Sequence, residues 1–107
     1  MRKLYLIGAL MLCSFTFNAT FYGDNFHGNY TYSGEKFDMY AMTCASNYFP
    51  IGTKLKVTNI ENKRSVIVRV NDKGAMGKYI IDLSKGAFKR ISPLHKGIIE
   101  VKVKLIK

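Results

Sequence analysis

Two segments of this chain alternate apolar and polar side chains with a period of two, and that pattern restricts the fold more than any other feature. "GTKLKVTNI" sets Leu55 and Val57 against Lys54 and Lys56, and "GIIEVKVKLI" sets Ile99, Val101, Val103 and Leu105 against Glu100, Lys102 and Lys104. Successive side chains of a strand point to opposite faces, so each segment reads as a half-buried strand. "SVIVRVN" reads as another strand, apolar on both faces for part of its length, with the polar "ENKR" as the turn before it. "ATFYG" is β-prone and ends at a glycine. One helix is predicted, over "DLSKGAFKRI": Ser84 suits an N-cap, Leu83, Ala87, Phe88 and Ile91 recur at near-helical spacing, and Ser92-Pro93 stops it. Gly86 inside that stretch limits it to one or two turns. Short strands, glycine-bearing turns and one small helix predict a closed or nearly closed β-barrel, because closure removes strand edges that invite aggregation.

The first residues predict a leader ahead of that barrel. Arg2 and Lys3 precede the apolar run "LYLIGALMLCSFTF", and Asn18-Ala19 offers a small residue for cleavage, the order of a secretory signal peptide. The expectation is a signal over residues 1–19 and one domain over 20–107, exported to the periplasm, cell envelope or medium. The run is short for a membrane span of about 20 residues. Leu12 stands where bacterial lipid-attachment motifs place a small residue, which argues against anchoring through Cys13. Loss of Cys13 would leave Cys44 without a disulfide partner, so Cys44 is expected to be a small buried hydrophobe. The whole chain carries 17 basic and 7 acidic residues, a net charge of +10. Such a surface favours polyanions, and export makes nucleic acid the least suitable of them.

The chemistry-bearing residues point away from metals and nucleotides. His27 and His95 lie far apart with no ligand-spaced cysteine or carboxylate, so no metal or other cofactor is expected. "GAMGKY" lacks the residues of a phosphate-binding loop. The carboxylates are better candidates. "YTYSGEKFDM" sets Glu35 and Asp38 three residues apart in a chain poor in acids, and Asp72 and Asp82 also sit beside polar turns. Glycosidic-bond cleavage needs a carboxyl group to protonate the leaving oxygen and often a second to steady the sugar's positive charge. Aromatic residues around that segment, Phe26, Tyr30, Tyr32, Phe37 and Tyr40, could wall such a site and stack on sugars. The competing reading is that Asp38 caps a turn, Asp82 orders the helix start and the rings fill the core.

Taken in order, "ATFYG", "FHG", "TYSGEKFDMYAMTCAS", "FPIGTKLKVTN", "SVIVRVNDKG" and "IIDLSKGAF" resemble the RlpA (rare lipoprotein A) family across nearly all of residues 20–107. The resemblance implies a six-stranded double-psi β-barrel with one or two short helices. It implies a lytic transglycosylase that cuts peptidoglycan glycan strands, prefers strands lacking stem peptides, and leaves 1,6-anhydro-N-acetylmuramic acid ends. The family's acids map onto Glu35 and Asp72 as catalytic residues, with Asp38 and Asp82 as supporting or alternative acids. Tyr22, His27, Tyr32 and Asn71 are the implied substrate-binding residues. The family's usual histidine at the end of its "TAAH" stretch is replaced by Ser46, so slower catalysis is expected. A monomer acting on glycan strands is expected. The alternatives from other classes are a non-catalytic, expansin-like glycan-binding module and a secreted basic effector or inhibitor on the same barrel.

Overall fold

The computed structural model describes residues 15–106. Six strands, β1 (Phe15–Tyr22), β2 (Thr43–Ser46), β3 (Lys54–Asn59), β4 (Ser65–Asp72), β5 (Ile80–Ser84) and β6 (Ile99–Ile106), close into a barrel in the order β1-β5-β2-β4-β3-β6. The β1/β5 and β2/β4 pairs are parallel and the other four antiparallel, and the barrel is a double-psi β-barrel. The period-two segments fall largely where expected: Leu55, Val57, Ile99, Val101 and Val103 are buried and Lys54, Lys56, Lys102 and Lys104 face out, but Leu105, near the end of β6, is exposed. Val66, Val68, Val70, Ile81 and Leu83 complete the interior, with Phe88 and Ile91 packed on it. Each such side chain contributes about 1.5–3 kcal/mol by leaving water.

The helix begins just after Ser84, as the N-cap reading predicts, although Leu83 also fits the helical spacing. α1 spans Lys85–Ile91, and Asp82 and Leu83 belong to β5. Leu83 pairs with Phe21 of β1 on one side and Cys44 of β2 on the other, and these two ladders outweigh local helical spacing. Ser84 is the N-cap, accepting from the Ala87 N–H, and Ser92 ends the helix. Gly86 has a packing reason: a Cβ there would lie 2.9 Å from the Tyr40 carbonyl oxygen. Its N–H donates to the Met39 carbonyl at 2.7 Å, so the loop before β2 rests directly on the helix backbone.

The barrel also begins earlier than residue 20. β1 starts at Phe15, and Phe15–Ala19 pair with β6. Phe17 is 3% exposed and packs on Tyr48, Phe49 and Tyr79. The remainder of the expected leader, residues 1–14, lies outside the described residues, as does Cys13. No helix among the described residues is long and apolar enough to cross a membrane.

Candidate active site

The site is assembled across four successive strands of the barrel, β4, β2, β5 and β1. Along β4, Val66, Val68 and Val70 point into the core, and Ser65, Ile67 and Arg69 point away from it. Strict alternation would send Asp72 to the same side as Val70. The pairing with β2 shifts instead: Cys44 faces Val70, and Ala45 faces Asp72, skipping Asn71. Such a bulge re-aims the side chains that follow it. Asn71 is buried, and Asp72 is half-exposed.

Ala45 pairs with Asp72 on one side and with Asp82 of β5 on the other. Two strand spacings put the aspartate Cα atoms about 10 Å apart, with both side chains on the face that Ala45 presents. Asp82 accepts from the Thr20 hydroxyl at 2.9 Å. Partial burial raises the Asp82 carboxyl above the usual aspartate range, the Asp72 charge adds to the rise, and the Thr20 hydrogen bond opposes it. Asp72 accepts from the Tyr32 and Lys73 N–H groups, each at 2.9 Å, and from the Tyr22 hydroxyl at 3.3 Å. The Tyr22 ring stacks on buried Phe37 at 4.3 Å. Burial first, then the Asp72 charge, push the Tyr22 phenol up and keep it a neutral donor.

Glu35 reaches the site from a tight hairpin laid over the end of β4. Gly34 sits at φ +92°, a conformation that favours glycine, and its N–H donates to the Thr31 carbonyl at 3.0 Å. The Ser33 N–H donates to the Asn71 carbonyl at 3.1 Å and so fixes the hairpin to β4. Arg69 then grips Glu35 with two N–H donors, at 2.9 and 3.0 Å, and the Asn71 amide donates to the same carboxylate at 3.2 Å. Hydrogen bonds from Arg69, then from Asn71, hold the Glu35 carboxyl below the usual glutamate range. Arg69 thus shifts Glu35 toward its charged form, and burial shifts Asp82 the other way.

The other expected site residues divide. Tyr22, Tyr32 and Asn71 contact the acids as described. Asp38 does not: its carboxylate accepts from the Tyr40 N–H at 2.9 Å, a local turn. His27 accepts from the Met39 N–H and lies against Tyr40, with no hydrogen bond to any of the four acids among the described residues. Ser46 is fully buried, and its hydroxyl accepts from the Tyr48 and Phe49 N–H groups at 3.1 and 3.0 Å. It caps the turn after β2. Cys44 is buried in the core, and burial pushes its thiol up.

Arg69 and Thr20 were not among the sequence candidates. The partners of both depend on register, which no single strand's pattern specifies. Among the described residues, no group of three or more His, Cys, Asp or Glu side chains could hold a metal ion.

The profile of the lytic transglycolase family matches residues 14–103. A Neisseria meningitidis protein named endolytic peptidoglycan transglycosylase RlpA is 46% identical over 92 residues, which are 85% of this chain and 38% of that protein. The chain thus spans well under half the length of this curated relative. Among solved structures, the Streptomyces papain inhibitor superposes with a TM-score of 0.73 at 24% identity, over 89% of this chain and 96% of its own. A Clavibacter michiganensis expansin variant in complex with cellohexaose superposes with a TM-score of 0.68 at 22% identity, over 89% of this chain and 51% of its own. At these identities the two structures speak to the fold.

Proposed function

Because the chain belongs to the RlpA family of double-psi β-barrel lytic transglycolases, we propose that it cleaves the glycan strands of bacterial peptidoglycan as a lytic transglycosylase in the cell envelope. The observation that carries this reading is geometric: Asp72 and Asp82 are both ladder partners of Ala45 on opposite edges of β2, with the Asp82 carboxyl shifted up by burial and the Glu35 carboxyl shifted down by Arg69.

Asp82 donates its proton to the glycosidic oxygen as the C1–O bond breaks. The departing sugar leaves with a free hydroxyl, and positive charge develops on the muramic acid ring. Asp72, oriented by two backbone N–H groups and Tyr22, stabilises that charge, and Glu35 adds to the negative field. The sugar's own 6-hydroxyl attacks C1, its proton returns to the Asp82 carboxylate, and a 1,6-anhydro ring closes without water. Exposed Tyr30 and Tyr32 suit stacking on sugar faces. A preference for strands without stem peptides belongs to the same proposal.

Mass spectrometry of purified peptidoglycan, intact and amidase-stripped, after incubation with the protein tests this. Anhydro-muramic ends are expected, with more of them from stripped strands. Retention on peptidoglycan with no such product would replace the reading with a glycan-binding module. That second reading is favoured by the likeness to the expansin fold and by the tie between Glu35 and Arg69.

A further inference from the structure

On the outside of the barrel, β3 and β6 lie side by side with Lys56 directly opposite Lys104. The same register sets Lys102 opposite Thr58 and Lys54 opposite Ile106, so four exposed lysines share one sheet face. Facing residues of an antiparallel pair have Cβ atoms about 4.5–5.5 Å apart, and same-face neighbours along a strand follow at about 7 Å. Like charges set directly opposite destabilise a sheet. Little here offsets them. The ion pairs among the described residues use Glu35, Asp24 and Glu61, and none includes these lysines. Glu100 shares the face at its far end, beyond Lys102.

The face continues onto β4, where Lys54 is opposite Arg69 and Lys56 opposite Ile67. At Arg69 it meets Glu35 and therefore the rim of the acidic cleft. A basic strip thus runs from the outer sheet to the site.

We propose that this lysine strip is a second binding surface, which holds carboxylate-bearing glycan strands outside the cleft; it rests on the reading of peptidoglycan as the substrate. Its shape suits an extended polymer: the amines are spread along two strands and form no cradle for a small anion. Its continuity with the Arg69–Glu35 rim lets one strand occupy both surfaces. A lipid bilayer is a poorer match, because the apolar side chains this face offers for insertion on β3, β4 and the paired part of β6 are the exposed Ile67 and the half-exposed Ile106, separated by lysines.

The test is co-sedimentation of the protein and its Lys56→Gln/Lys104→Gln variant with insoluble peptidoglycan over a range of salt. The parent should lose binding as salt rises, and the variant should bind roughly tenfold more weakly at low salt with a flatter salt dependence. Cleavage of short soluble glycan fragments should be unchanged, and the melting temperature equal or higher, because a like-charge pair is removed. Equal binding by parent and variant, or salt-insensitive binding by the parent, overturns the proposal. So does a variant that loses binding to phosphatidylglycerol vesicles yet keeps it to peptidoglycan. A parent that cuts no fragment at all defeats the transglycosylase reading, and the sedimentation result still decides the strip.

Discussion

Asp72 and Asp82 face one another across Ala45, each its ladder partner on an opposite edge of β2. They lie ten residues apart in the chain and on different strands, and they experience different surroundings. Asp72 is braced by N–H donors and a phenol, and Asp82 is half-buried with one hydroxyl partner. This asymmetry is what allows two identical side chains to take separate roles.

Asp82→Asn should lower lytic turnover by roughly 10²–10⁴-fold, the usual worth of acid–base assistance. The alkaline side of the parent's pH–activity profile should be set by Asp82 and lie above the ordinary aspartate value of about 3.9. The stability sign follows from the same shift. A carboxyl raised in the folded state contributes stability that is present below its unfolded pKa and lost as pH rises through its folded one. The asparagine variant should therefore melt above the parent at neutral pH, with the gap closing near pH 3–4. Melting curves at the two pH values check this, and a variant with parent-like turnover would return the proton-donor role to another acid.

Arg69→Gln should free Glu35 from its bidentate partner. The Glu35 carboxyl then moves up toward the ordinary glutamate value of about 4.3, and the acid side of the activity profile moves up with it. Here the linkage has the opposite sign. A depressed carboxyl contributes stability above its unfolded pKa and loses it as pH falls. Because both side chains are substantially exposed, the effect on melting should be small and the profile is the sensitive measurement.

Ser46 lies at the position where relatives are expected to carry histidine, yet its hydroxyl serves the turn after β2. Ser46→Ala leaves the Tyr48 and Phe49 N–H groups without their acceptor, one of them buried. A loss of about 1–3 kcal/mol in stability is expected, with the pH profile unchanged. Denaturant titration measures the first and rate assays the second; an altered profile would put Ser46 back among the cleft groups.

A chain beginning at Thr20 should fail to fold, because it loses five of the eight residues of β1, with Phe17 among them. A chain beginning at Ser14 should fold. If export is accompanied by cleavage, N-terminal sequencing of the exported protein should place the cut before Phe15. A folded mature protein starting at Thr20 would refute this.

Much of the barrel is legible in the amino-acid sequence. Period-two alternation placed Leu55, Val57, Val101 and Val103 inside, and the Ser84 cap and Ser92-Pro93 stop marked the helix, because burial and capping are local demands on neighbouring residues. The acids Glu35, Asp38, Asp72 and Asp82 stood out as carboxylates beside glycines or in polar turns, and the family resemblance singled out Glu35 and Asp72. Three matters needed the folded chain. Asp72 enters the cleft only because β4 bulges against β2 at Asn71. Asp82 is a strand residue only because β5 has partners on both sides. The Asp38 carboxylate and the Ser46 hydroxyl each accept from nearby backbone N–H groups. Alternation along one strand cannot specify these outcomes: register is a relation between segments far apart in the chain, and a one-residue shift in it reverses which face a side chain occupies.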